Sequence, residues 1–284
     1  MIWRLPRDRQ LDFGRRVQIL GILNVTPDSF FDGGRYVDSV QATEHALQMV
    51  EEGADVIDIG GESSRPPIYG PAETIDADEE CRRVVPLVEA IRRQSQVPLS
   101  IDTVKSEVAT RALEAGADII NDISAFEADS GAMAQVAAST GVPVILMHRR
   151  GTAATMQKDT HYDDLLGEVR GYLGQRRDFA CEHGVAPGQI ALDPGLGFGK
   201  SVDDNRRLIR HAAEFSIDGC PVVIGASRKS FLWKPMSVSP EQALEGSLAA
   251  AVLAVSHGAH AVRVHDVAAT VRAVRVAESI EASG

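Results

Sequence analysis

Eight short runs of apolar, largely β-branched residues recur along this chain, and each closes on a polar residue. They are VQILGILNV (17–25), VIDIGG (56–61), PLSIDT (98–103), IINDIS (119–124), PVILMH (143–148), IALDPG (190–195), PVVIGAS (221–227) and AVRVHD (261–266). Near-continuous apolar character suits parallel strands covered on both faces. Between them lie helix-period segments: SVQATEHALQMVEEGA, KSEVATRALEAGA, GAMAQVAASTG, DLLGEVRGYLGQRRDFACEHG and EGSLAAAVLAVSHGA. Several finish in Gly-Ala or a lone Gly, as a helix does before a short turn into a strand. Eight β-α repeats in 284 residues predict one α/β domain over 1–284, a (β/α)8 TIM barrel with 1–16 as a lead-in segment. A doubly wound open sheet is the alternative.

A barrel carries its chemistry at the C-terminal ends of its strands. Those ends read Asn24, Gly60-Gly61-Glu62-Ser63-Ser64-Arg65, Asp102, Asn121, Met147-His148, Asp193, Ser227-Arg228-Lys229-Ser230, and Arg263 with His265, whereas the strand starts read as apolar or proline. A ring of polar groups at one rim is costly unless each finds a partner, so it argues for a ligand.

Other classes are excluded by bulk features. A net charge of -11, from 29 basic and 40 acidic residues, disfavours a nucleic-acid binder but allows a small basic pocket. Three scattered cysteines, Cys81, Cys181 and Cys220, form no disulfide frame or zinc pattern. The N-terminus lacks a signal-peptide core, and the longest apolar run, Leu248 to Val255, is too short to span a bilayer. The expected location is the cytoplasm, with no membrane and no nucleic acid among the partners.

The stretch LDPGLGFGKS, Leu192 to Ser201, imitates a phosphate-binding loop. The glycine required five residues before Gly199 is Pro194, so a P-loop is ruled out. What remains is Asp193, at the end of a buried strand before a Pro-Gly turn. For Asp102 a helix N-cap is an equal reading; for Asp193 the following Pro-Gly makes a cap less natural. Asn121 sits inside a strand, with Asp122 on the opposite face. Together Asn121 and Asp193 suit a flat heterocycle with an amidine-like edge.

Arg263 and His265 are two apart and face the same way, as a phosphate or diphosphate would require. The bland alternative is a structural salt bridge from Arg263 to Asp58 or Asp102. Lys229 after the seventh strand could form a Schiff base as barrel aldolases do, but a hydrogen-bonding or stacking role needs less tuning. Ser230 falls where the next helix starts and could hold a carboxylate. The first loop, NVTPDSFFDGGRY, carries Phe30 and Phe31 and reads as a lid.

Eight collinear segments, GILNVTPDSFFDGG, DIGGESSRP, SIDTVK, IINDIS, LMHRRGTAATMQ, LDPGLGFGKS, GASRKSFL and RVHDVAAT, resemble the dihydropteroate synthase family of pterin-binding barrels along nearly the whole chain. The resemblance implies condensation of 6-hydroxymethyl-7,8-dihydropterin diphosphate with p-aminobenzoate, yielding 7,8-dihydropteroate and diphosphate in folate synthesis. It also implies the roles. Asp193 meets the pterin 2-amino group and ring N–H, Asn121 and Asp102 the remaining pyrimidine and N8 edge, Lys229 the O4/N5 side, with Met147 and Gly225 lining the pocket. Asn24, Ser64, Arg65, Arg263 and His265 hold the diphosphate, with Asn24 beside Mg2+. Phe30, Ser64, Arg65, Pro66, Phe198, Lys229 and Ser230 line the p-aminobenzoate pocket. Asn24, Arg65, Lys229, Arg263 and His265 are then the catalytic set, and a homodimer through the last helices is expected.

The chain departs from the family pattern at Ser64, usually threonine, at Pro67, usually glycine, and at Ala153, usually proline. Serine keeps the hydroxyl, while Pro67 stiffens the second loop. A corrinoid-linked methyltransferase domain would share Asp102, Asn121 and Asp193 but not need the SRKS and RVHD segments. A non-catalytic pterin-binding paralogue should have lost Arg65, Lys229 or the Arg263/His265 pair; all are present.

Overall fold

The computed structural model describes residues 1–25, 35–62, 74–151, 155–156, 159–239 and 242–283, without the side chains of 35–38. The chain opens with an antiparallel hairpin, β1 (Ile2–Leu5) and β2 (Arg9–Asp12). Eight parallel strands follow: β3 (Gln18–Asn24), β4 (Val56–Gly60), β5 (Leu99–Asp102), β6 (Ile119–Asp122), β7 (Val144–Met147), β8 (Ile190–Asp193), β9 (Val223–Ile224) and β10 (Ala261–Val264). They run in the order β8-β7-β6-β5-β4-β3-β10-β9, and a bridge between Leu192 and Val222 joins the two edges. The expected (β/α)8 barrel is therefore the fold, and the open sheet is not.

The helices α1 (Arg35–Glu51), α2 (Ala77–Gln94), α3 (Ser106–Ala115), α4 (Ala132–Thr140), α5 (Leu165–Glu182), α6 (Val202–Arg210), α7 (Ser230–Trp233), α8 (Leu244–Ser256) and α9 (Val267–Glu281) surround it. Besides the four-residue α7, three were missing from the sequence pattern. α2 carries Pro86 in its interior, which breaks the helical pattern by eye. It starts on an Asp76 cap that accepts the Glu79 N–H at 2.8 Å. α6 is short, with a capping box of Ser201 and Asp204. α9 follows the eighth strand with no Gly or Pro signal ahead of it.

Strand alternation splits the barrel residues into two sets. Outward side chains such as Ile19, Ile57, Ile101, Ile120, Leu146, Leu192, Ile224 and Val262 pack under the helices. Leu20, Val56, Ile119, Ile145, Ala191, Val223 and Ala261 pack inside, with Trp3, Leu5, Leu11 and Phe13 of the hairpin segment plugging the N-terminal end. Trp3 meets Phe13 edge to face at 4.9 Å.

The strand starts are not all apolar, contrary to expectation: Gln18 opens β3. Asp118, fully buried before β6, pairs with Arg92 at 2.7 Å, with Arg7 at 2.5 Å and with Arg9, and accepts the Leu99 N–H at 3.0 Å. This cluster ties the hairpin to the barrel floor, which spacing along the chain cannot reveal.

Candidate active site

Moving two residues up each strand from the apolar inner layer gives the next inward positions: Ile22, Asp58, Ser100, Asn121, Met147, Asp193, Gly225 and Arg263. Two further on come Asn24, Gly60, Asp102, Ser227 and His265. Every described strand residue proposed for the site lies in this one set. Phe30, Ser64, Arg65 and Pro66 lie outside the described residues, as do Phe31, Pro67 and Ala153.

Asp193 is buried, and its Oδ1 accepts the Gly195 N–H at 2.7 Å. Burial pushes its carboxyl above the usual range, and the charges of Lys229, Arg263 and Lys200 oppose that rise. The turn demands glycine at 195: φ is +69°, and a Cβ there would lie 1.8 Å from the His148 carbonyl oxygen. Asp193 is thus a free-edged acceptor at the pocket floor, not a helix cap.

Asp102 caps no helix either, since α3 starts at Ser106 behind Lys105. It accepts from Arg263 Nη2 at 2.6 Å, while Asp58 accepts from Arg263 Nε at 2.6 Å. Arg263 therefore makes both of the ion pairs that its bland reading allowed. Burial pushes Asp102 up to about 7 against the pull of Arg263. Asn121 Nδ2 donates to Asp58 at 3.2 Å.

Lys229 Nζ donates to the Leu196 carbonyl and lies over the Phe198 ring, 4.9 Å from its centroid. Burial lowers it to about 8, with Asp193 opposing. A Cβ on Gly225 would stand in ordinary contact with Lys229 Nζ at 3.9 Å and Arg263 Cβ at 3.8 Å, which places Gly225 between them. Met147 is buried and in register with Asp193. Ser230 opens α7. Arg228 points elsewhere, to Asp266 at 2.6 Å.

Ser227 Oγ accepts the His265 backbone N–H at 3.2 Å and lies 3.1 Å from His265 Nδ1.

Sequence reasoning missed Lys200. It is buried, donating to the Phe198 carbonyl at 3.0 Å and to His148 Nδ1 at 2.9 Å, and burial lowers it to about 7. It was dismissed with the failed P-loop, and nothing in its spacing marks it as inward. Asn24 ends β3, its Oδ1 3.7 Å from where a Gly60 Cβ would stand. Among the described residues no group of three or more His, Cys, Asp or Glu could hold a metal.

A parallel barrel whose C-terminal mouth gathers buried hydrogen-bond acceptors and cations on one inward surface defines a class of enzyme for a flat, donor-rich heterocycle bearing an anionic tail. The pterin binding enzyme family matches residues 20–265. The chain belongs to that family and, within it, to the dihydropteroate synthases. It is 46% identical over 261 residues to the dihydropteroate synthase of Escherichia coli K12, covering 92% of this chain and 90% of that one. The Xanthomonas albilineans dihydropteroate synthase with 4-aminobenzoic acid superposes with a TM-score of 0.89 at 42% identity, over 99% of both chains. The same enzyme in complex with 7,8-dihydropteroate superposes at 0.88 and 40%, again over 99% of both.

Proposed function

We infer that the chain condenses 6-hydroxymethyl-7,8-dihydropterin diphosphate with p-aminobenzoate, forming 7,8-dihydropteroate and diphosphate. The observation that carries this is the inward ring itself: Asn121, Asp193 and Arg263 in one layer, Asp102 and His265 two residues further up their strands, and Lys229 in the loop after β9. The acceptors suit the N–H groups of a dihydropterin, and on this reading Lys229 donates to its O4/N5 side. A site built of buried directional groups rejects ligands that leave them unpaired.

Arg263 and His265 hold the diphosphate, with Ser64 and Arg65 supplied by the second loop. Their positive charge meets the electron pair that departs with the leaving group when the pterin methylene C–O bond breaks. The arylamine lone pair then forms the C–N bond, and the nitrogen releases its proton to solvent. No base is needed before attack, because the amine is neutral. Phe30, Pro66 and Phe198 wall the p-aminobenzoate pocket, and Ser230 binds its carboxylate.

Mg2+ suits this donor set: a hard cation takes one neutral protein oxygen plus phosphate oxygens. Asn24 would hold it, and when bound it offsets charge on the diphosphate. The apolar faces of α8 and α9, where Leu253, Val276 and Ile280 are exposed, support a homodimer. A cytoplasmic location goes with this reading. No helix among the described residues is long and apolar enough to cross a membrane.

The deciding experiment is diphosphate release from pterin diphosphate and Mg2+, with and without p-aminobenzoate. Pteroate formation that disappears in Asp193→Ala establishes the reading; tight pterin binding without product would replace it with a binding-only paralogue.

A further inference from the structure

The interior of a (β/α)8 barrel is layered, each layer taking four side chains from alternate strands. Here β4, β6, β8 and β10 contribute Asp58, Asn121, Asp193 and Arg263 to one layer. The last three have roles toward the ligand. Asp58 has none, yet it is fully buried, at 0% exposure.

Burying a carboxylate is expensive, and Arg263 already has Asp102 as a partner, 2.6 Å from its Nη2. A merely structural counter-ion at 58 would be redundant. What Asp58 alone does is touch two members of its layer at once, with Arg263 Nε at 2.6 Å and Asn121 Nδ2 at 3.2 Å.

A carboxylate accepts and cannot donate, so the amide atom facing it must be the N–H2. That forces Asn121 Oδ1 to the other side. An unrestrained amide can present either atom to a ligand; this one cannot. Likewise Arg263, pinned through Nε, cannot swing its guanidinium down across the pocket floor.

We propose that Asp58 is the positioning residue that fixes the hydrogen-bond polarity of the pterin pocket, locking Asn121 so that it offers the ligand an acceptor. Asp193, Asp102 and Asn121 then present acceptors together. The donors they select are the ring N–H beside the carbonyl, the 2-amino group and N8–H, with the 2-amino group shared between Asp193 and Asn121. The proposal rests on the pterin reading above.

The test titrates 6-hydroxymethyl-7,8-dihydropterin and its 2-deamino analogue into wild type and Asp58→Asn by calorimetry. An asparagine at 58 presents one oxygen where two donors need acceptors, so Asn121 can turn its N–H2 to the ligand. The variant should lose about 10- to 100-fold in affinity for the 2-amino compound. Its preference over the 2-deamino compound should shrink at least tenfold, while KM for p-aminobenzoate stays within about twofold. Equal weakening toward both pterins would mean Asp58 only supports the fold, overturning the proposal while leaving the pterin reading intact. Failure of wild type to bind the pterin would overturn both.

Should Asp58→Asn not fold, the wild type still answers. The Asn121 side-chain amide protons, assigned by their loss in Asn121→Ala, should exchange slowly with solvent in the ligand-free protein. Free exchange would overturn the proposal.

Discussion

Arg263 Nε and a fully buried Asp58 oxygen lie 2.6 Å apart near the centre of the barrel, and Arg263 Nη2 reaches Asp102 at the same distance. One guanidinium therefore bridges two carboxylates through Nε and Nη2, which leaves Nη1 for an anion. Arg263→Ala would strand both carboxylates. The expected cost is about 3 kcal/mol of stability, together with loss of diphosphate binding. Arg263→Lys should recover part of the stability but not the activity, since a point charge cannot span both partners. Thermal melts beside steady-state kinetics check this; a fully active Arg263→Lys would refute it.

Activity should fall on the alkaline side with an apparent midpoint near 8. Burial lowers Lys229 to about 8, so its proton is present below that pH and lost as pH rises through it. Lys229→Arg should move this limb upward, because arginine stays protonated. An unmoved limb in the variant would assign the titration to another group.

On the acid side, pterin affinity should weaken before ordinary carboxylates titrate. Asp193 is raised by burial, and its ionised form, the one that accepts two N–H groups, is lost as pH falls through that raised value. Calorimetry of pterin binding from pH 8 downward checks the direction. In Asp193→Asn the dependence should shrink to that of Asp102, pushed up to about 7, and affinity should drop about 100-fold, as for a charged hydrogen-bonding group.

At the opposite end of the barrel, Asp118→Ala should separate stability from chemistry. It removes the shared partner of Arg7, Arg9 and Arg92, at a cost of about 3 kcal/mol. The melting temperature should fall while kcat and KM at 20 °C stay close to wild type. A specific loss of kcat would show that the hairpin plug is coupled to the active-site rim.

Gly195→Ala should behave as a site mutation although it removes no functional group. Its Cβ would meet the His148 carbonyl oxygen at 1.8 Å, so the turn must open and Asp193 must move. Pterin affinity is expected to fall at least tenfold, against little change for Gly141→Ala, where a Cβ meets nothing within 4 Å.

Much of this molecule is written locally. Eight apolar runs with polar ends determine the barrel, because a two-residue period assigns every strand side chain to inside or outside without reference to any neighbour. That period alone collects Asn24, Asp102, Asn121, Asp193, Arg263 and His265 on one surface. Spacing of the same kind dismissed the P-loop at Gly199, and the structure gives Ser201 to the cap of α6 instead. The sequence pattern missed α2, because Pro86 interrupts its period, and misjudged the start of β3 at Gln18.

What only the tertiary structure decided is which polar groups hold one another. Asp58 and Asn121 are 63 residues apart, and Asp58 and Arg263 are 205 apart. No local period relates them; closing the sheet into a cylinder does. Lys200 illustrates the same point. A lysine in a glycine-rich turn is ordinarily solvated, and only the packing of that turn against β7 buries it beside His148. Local patterning chose the residues that face inward, and barrel closure chose their partners, which set their charge and orientation.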